Sequence, residues 1–153
     1  GTTATAIDPP VTHADPAHGR LVVVIDDDPL VLDGMRGVLR SWGCRVVTGA
    51  SDDDVLAALA HEEGEPDVIV SDYRLAGGAT GIQAIERLRD ALGIPVPAFL
   101  MSGDTAAEVL REAGARGFRL VHKPVLPMEL RTILNRLLKS GGPVEGVTGM
   151  PRP

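Results

Sequence analysis

Residues 67–75 read Asp67-Val68-Ile69-Val70-Ser71-Asp72-Tyr73-Arg74-Leu75. Val68, Ile69 and Val70 are β-branched and too few for a helix, so they read as a strand buried on both faces, of the kind found inside a parallel sheet. The apolar run ends at Asp72, which the strand would hold at its carboxyl end. In open α/β sheets that edge carries the ligand crevice, because the loops leaving the strand tips line it. A lone Asp there also has an ordinary reading as a loop cap before the next helix. What the other strand tips carry decides between the two.

Upstream, Leu21-Val22-Val23-Val24-Ile25 is a second aliphatic run that ends in carboxylates, Asp26-Asp27-Asp28, with Pro29 next. Asp28 reads as an N-cap, with Pro at the first helical position where its missing N–H costs nothing. Leu32, Met35, Val38, Leu39 and Trp42 then recur at helical spacing up to Gly43. Arg45-Val46-Val47-Thr48 and a Ser51/Asp54 capping pattern before Val55, Leu56 and Leu59 form a second strand–helix unit. His61-Glu62 has the form of a phospho-accepting histidine followed by an acid, but a His near a helix C-terminus is ordinary dipole compensation.

Downstream, Gly77-Gly78-Ala79-Thr80-Gly81 reads as a plain flexible loop without the Gly-x-x-x-x-Gly-Lys-Ser/Thr pattern of a phosphate loop. Ile82, Ile85, Leu88 and Leu92 mark a third helix. Pro97–Met101 is a fourth strand closing at Ser102-Gly103-Asp104, and Thr105 with Glu108 suggests a capping box on a fourth helix. Gly117–His122 is the fifth strand and runs into Lys123-Pro124. The last helix, from Pro127, carries Leu130, Ile133, Leu134, Leu137 and Leu138 on one face. This alternation predicts an α/β fold, a doubly wound five-stranded parallel sheet in the order 2-1-3-4-5 with helices on both faces.

Residues 1–19, rich in Thr, Ala, Pro and Asp, read as a disordered linker, 20–140 as the folded domain and the Gly- and Pro-rich 141–153 as a disordered tail. His13 and His18, isolated in that linker, make a poor metal site. The chain starts at Gly1 rather than at a methionine, so a fragment of something longer is expected. With 153 residues and 44% hydrophobic content, one buried core is expected, and four aromatic residues make it aliphatic. A formal charge of −6 supplies no basic field for nucleic acid. Cys44, the one cysteine, reads as a small core hydrophobe. No apolar run approaches the ~20 residues of a membrane span and no signal-peptide core is present, so a soluble cytoplasmic domain without membrane contact is expected.

In the predicted sheet order the tips of strands one, three, four and five bring together Asp26, Asp27, Asp72, Ser102 and Lys123. Each alone has a bland explanation as a loop or surface residue; jointly those explanations fail. Two carboxylates about 4 Å apart repel by roughly 4 kcal/mol at an effective dielectric near 20. An all-oxygen site of this kind suits Mg²⁺, which takes one or two carboxylates and completes its shell with water and phosphate oxygens. A carboxylate is already ionised at neutral pH and can attack phosphorus, so Asp72 is the candidate nucleophile, with Lys123 and Ser102 placed to stabilise the equatorial oxygens.

Over residues about 20–140 the chain resembles the receiver domain of two-component response regulators, whose fold is the flavodoxin/CheY-like one. The resemblance rests on Asp26-Asp27-Asp28-Pro29, Ser71-Asp72-Tyr73, Met101-Ser102-Gly103 and Lys123-Pro124. It implies a phosphorelay protein in which Asp72 accepts a phosphoryl group from a phosphohistidine, Asp26 and Asp27 with Asp72 and the backbone carbonyl of Arg74 hold Mg²⁺, and the bond before Pro124 is cis. It also implies a histidine kinase or histidine phosphotransfer domain as partner, a monomer, and a domain that promotes its own phosphorylation and dephosphorylation without independent turnover. Ser71–Leu75, Ser102-Gly103-Asp104-Thr105 and His122-Lys123-Pro124-Val125 look most like the C-terminal receiver of a hybrid sensor histidine kinase, and the short tail after Lys139 fits that or a stand-alone receiver. Two rivals remain: a haloacid-dehalogenase-like Mg²⁺ phosphatase, which wants a second Asp where Arg74 stands, and a degenerate receiver acting only as a binding module. One departure from the family is Leu120, three residues before the lysine, where members often carry an aromatic ring that swings on phosphorylation. The response is therefore expected to stay near Asp72 and Ser102 rather than spread over the fourth helix, fifth strand and last helix.

Overall fold

The computed structural model describes residues 16–103 and 107–140. Residues 1–15 with His13, the 141–153 tail, and Asp104 and Thr105 with the capping box predicted there lie outside the described residues.

Five strands form one parallel sheet: β1 Leu21–Ile25, β2 Arg45–Gly49, β3 Val68–Asp72, β4 Ala98–Ser102 and β5 Arg119–His122, in the order β2-β1-β3-β4-β5. The helices between and after them are α1 Pro29–Ser41, α2 Asp52–Leu59, α3 Gly81–Leu92, α4 Ala107–Ala115 and α5 Pro127–Ser140. Successive β1 side chains point to opposite faces. Leu21, Val23 and Ile25 pack with Val55 of α2, Ile82 and Ile85 of α3 and Val109 of α4. Val22 and Val24 pack with Leu39 of α1 and Leu130 and Leu134 of α5 on the other face. Both faces of the sheet are thus covered, which is why β1 and β3 read as unbroken aliphatic runs. All five β1 residues are fully buried, each aliphatic side chain contributing ~1.5–3 kcal/mol relative to exposure.

The caps follow the local chemistry. Asp28 accepts a hydrogen bond from Leu30 N at 2.9 Å and Pro29 opens α1. Ser51 Oγ accepts from Asp54 N at 3.2 Å at the start of α2. The loop before α3, expected from sequence to be plain and flexible, holds a reciprocal capping box: Thr80 Oγ1 accepts from Gln83 N at 3.2 Å while Gln83 Oε1 accepts from Thr80 N at 3.1 Å. The fifth strand starts at Arg119 rather than Gly117, because Gly117 at φ 82° and Phe118, whose N–H reaches Ala113 O at 2.8 Å, close the end of α4.

The boundary drawn at residue 20 also shifts. Residues 16–19 form a turn docked on the domain. Ala17 is fully buried in the α1/α5 core, Gly19 N donates to Gly43 O at 2.8 Å, and Cys44 Sγ donates to Ala17 O at 3.3 Å. Composition could not show this, since Pro16-Ala17-His18-Gly19 carries little apolar weight of its own. Among the described residues, no helix is long and apolar enough to cross a membrane.

Candidate phosphoryl-acceptor site

The register sets the tips. Ile25 lies opposite Ser71, Asp72 opposite Met101, and Ser102 opposite His122. Asp26 therefore leaves β1 level with Asp72, Ser102 stands one step beyond, and Lys123 follows β5 directly, with its N–H donating to Ser102 O at 2.9 Å. One ligand oxygen from each of Asp26, Asp27 and Asp72 lies within 4.8 Å of the others. Lys123 Nζ stands 2.9 Å from Asp26 Oδ2 and 3.2 Å from Asp72 Oδ2. All of the predicted carboxylates and the predicted ammonium thus meet in one place.

Their environments differ. Asp26 is fully buried and is oriented by the Asp28 N–H, which donates to its Oδ1 at 2.9 Å. Its Oδ2 is paired with the Lys123 ammonium. Asp27 is exposed and Asp72 half-buried. Burial, with the Asp26 charge added, raises the Asp72 carboxyl above its ordinary range against the opposing pull of Lys123. For Lys123, burial favours the neutral amine, but hydrogen bonding to Asp26 and the charges of Asp72 and Asp26 outweigh it and hold the ammonium above its ordinary value. Both shifts have the same origin: an excess of negative charge out of water. Three carboxylates against one ammonium leave two negative charges, which a divalent cation balances.

The donor set fits Mg²⁺ on two observations. All of the side-chain ligand atoms are oxygen, the hard type that this ion takes, and the three carboxylates outnumber the one ammonium beside them. Arg74, whose backbone carbonyl is the expected further ligand, stands two residues past Asp72 in a turn closed by its bridge to Thr80 and by Leu75 N donating to Ala79 O at 2.9 Å. Ser102 is buried at the end of β4. The Lys123–Pro124 peptide bond is cis, as the resemblance implied.

Three residues around Asp72 escaped the sequence reading. Gly81, at the start of α3, lies against the acceptor: a Cβ there would sit 2.2 Å from Asp72 O and 2.8 Å from Ser71 Oγ. The Tyr73 hydroxyl donates to Glu112 Oε1 on α4. Neither contact leaves a local signal, since each joins segments distant in sequence. A groove of about 550 Å³ also runs from Lys123 between α1 and α5, lined by Leu30, Met35, Val38, Pro124 and Leu130 among others.

Comparison with known proteins identifies the family of this fold. The model of the response regulator receiver domain matches residues 22–135. A two-component response regulator of Arabidopsis thaliana is 32% identical over 113 residues, covering 73% of this chain and 18% of that protein. The transcriptional regulatory protein KdpE of Mycobacterium tuberculosis is 35% identical over 105 residues, covering 68% of this chain and 44% of that protein. The chain therefore spans less than half the length of these relatives. Among solved structures, the receiver domain of the response regulator PhyR from Erythrobacter litoralis superposes with a TM-score of 0.67 at 26% identity, covering 85% of this chain and 98% of that one. With the 2-1-3-4-5 sheet and the acidic tips in place, the chain belongs to the response regulator receiver domain family.

Proposed function

We propose that this receiver takes a phosphoryl group from a phosphohistidine onto Asp72, with Mg²⁺ bound. The observation that carries this reading is the single ammonium of Lys123 shared between Asp26 and Asp72 beside a third carboxylate. Asp26, Asp27, Asp72 and the Arg74 carbonyl would hold Mg²⁺, which supplies charge neutralisation for the transferring group.

The chain's own residues supply the rest. A carboxylate oxygen of Asp72 attacks phosphorus as the P–N bond to the donor imidazole breaks; the donor ring, protonated on its other nitrogen, takes the bonding pair and departs as neutral imidazole, and no proton need be removed from the nucleophile. Lys123 keeps a positive charge 3.2 Å from that carboxylate, where negative charge on the phosphoryl oxygens accumulates. Ser102, tied to Lys123 through the backbone, offers a hydroxyl to one of those oxygens. Tyr73 N–H, donating to Met101 O at 2.7 Å, and Gly81 hold the nucleophile's backbone in place.

The partner is a histidine kinase or histidine phosphotransfer domain. The α1/α5 groove beside Lys123, with Leu30 at 78% exposure on its wall, offers an apolar landing for a histidine-bearing helix. The motifs quoted above extend the reading to a cytoplasmic receiver domain of a hybrid sensor kinase, with a stand-alone receiver as the alternative. A haloacid-dehalogenase-like hydrolase is disfavoured by Arg74, which cannot serve as the acid/base carboxylate expected two residues after the nucleophile. The test is phosphoramidate, a small P–N donor, supplied with Mg²⁺: an acyl-phosphate signal by phosphorus NMR that hydroxylamine discharges is expected. A domain that binds a histidine-bearing partner but never shows that signal would be a binding module instead.

A further inference from the structure

We propose that the Tyr73–Glu112 hydrogen bond carries the state of Asp72 to α4, with Glu112 as the positioning residue. The inference rests on the phospho-acceptor reading of Asp72. Tyr73 follows the acceptor directly, and its backbone is held on both sides: its N–H donates to Met101 O at 2.7 Å, and its carbonyl accepts from Gly81 N at 2.8 Å. Met101 immediately precedes Ser102, the hydroxyl expected to close on the phosphoryl oxygens. A shift of Ser102 therefore reaches Tyr73 through one backbone hydrogen bond.

The ring turns that shift into a signal at a distance. It is buried, 5% exposed, while its hydroxyl ends on Glu112 of α4 and the Arg74 guanidinium lies 5.4 Å from its centroid. The Glu112 bond can be made or replaced by water, which gives the link two discrete arrangements, as a coupling element requires. Leu120 has no hydroxyl and lies in register with Leu100, packed against the apolar core. The inference departs from the sequence-based expectation in one respect: α4 would share in the response through Tyr73, with β5 and α5 still outside it.

Beryllofluoride with Mg²⁺, a phosphoryl mimic, tests this on the full chain. Fluorine NMR measures occupancy at Asp72, and amide shifts along Ala107–Ala115 measure the response of α4, taken as a ratio to those at Ser102 and Lys123 in the same sample. Tyr73→Phe, which keeps the ring, and Glu112→Ala should lower that ratio to less than about half of the wild-type value. Glu112→Gln, which keeps an acceptor at the same reach, should retain most of it. A simple packing defect would not change the ratio at equal occupancy. An unchanged ratio in Tyr73→Phe and Glu112→Ala, or a silent α4 in the wild type with the mimic bound, would overturn the inference alone. Absence of bound fluoride in the wild type would instead overturn the acceptor reading, and the inference with it.

Discussion

Gly81 meets the Asp72 carbonyl so closely that a side-chain carbon on residue 81 would lie 2.2 Å from that oxygen and 2.8 Å from Leu100 Cδ2. The start of α3 is thereby pressed against the acceptor strand, and the nearest obstacle is backbone, which cannot swing aside. Gly81→Ala should destabilise the fold by about 1–3 kcal/mol, the usual range for overpacking, and chemical denaturation measures it. Gly34 and Gly37, on α1 with open space where a methyl group would project, are the controls. Alanine there should be neutral or stabilising, since glycine is the poorer helix former.

The division of labour at the site gives a second expectation. Asp27→Ala removes a proposed ligand and should weaken Mg²⁺ binding, whereas Lys123→Ala removes a competing cation from Asp26 and Asp72 and should leave Mg²⁺ binding intact or stronger while phosphoryl transfer falls. Calorimetric titration distinguishes them. Trp42 fluorescence is a poor reporter, because Trp42 caps the C-terminal end of α1, the end opposite the site, with Arg131 over its ring at 5.3 Å. Equal loss of metal by both variants would contradict the assigned roles.

Tyr73 gives a pH dependence. Its hydrogen bond to Glu112, then burial, raise the hydroxyl above its ordinary value of 10.0. A raised folded-state value means that the neutral phenol stabilises the fold fully below pH 10.0, and that this contribution is lost as pH rises through the folded value. Tyr73 is the chain's single tyrosine, so phenolate absorbance with chelator present titrates it alone. The midpoint should lie above that of the unfolded chain and fall towards it in Glu112→Ala. A midpoint unmoved by that substitution would show that the bond does not form in solution.

Ala17, fully buried, supplies a fourth expectation. Ala17→Asp puts a charge among Val22, Leu39 and Leu134, and should cost several kcal/mol. Thermal unfolding of the full chain checks it; an unchanged melting temperature would mean that the 16–19 turn is not docked.

The contrast between Ala17 and Asp72 shows what a sequence can and cannot carry. The strands were legible because β1 and β3 are buried on both faces and so are aliphatic throughout. The site was legible because parallel strands all present their carboxyl ends to one edge, so that residues ending the runs must gather there. Tyr73–Glu112, Gly81 against Asp72, and Ala17 under Cys44 were not, because each is a contact between distant segments whose residues look ordinary in their own surroundings. Leu120 is informative in sequence by what it is not, whereas the ring that reaches from beside the acceptor to a helix, Tyr73, owes its contact to the fold.

Asp72 alone is proposed to accept the phosphoryl group, since it is the half-buried carboxylate that faces both Lys123 and the carboxylate cluster. Intact-mass analysis after incubation with acetyl phosphate and Mg²⁺ tests it most directly. A single phosphate adduct is expected on the wild-type chain, absent without Mg²⁺ and absent from Asp72→Asn. An adduct that persists in Asp72→Asn, with the same yield and Mg²⁺ dependence, would contradict it.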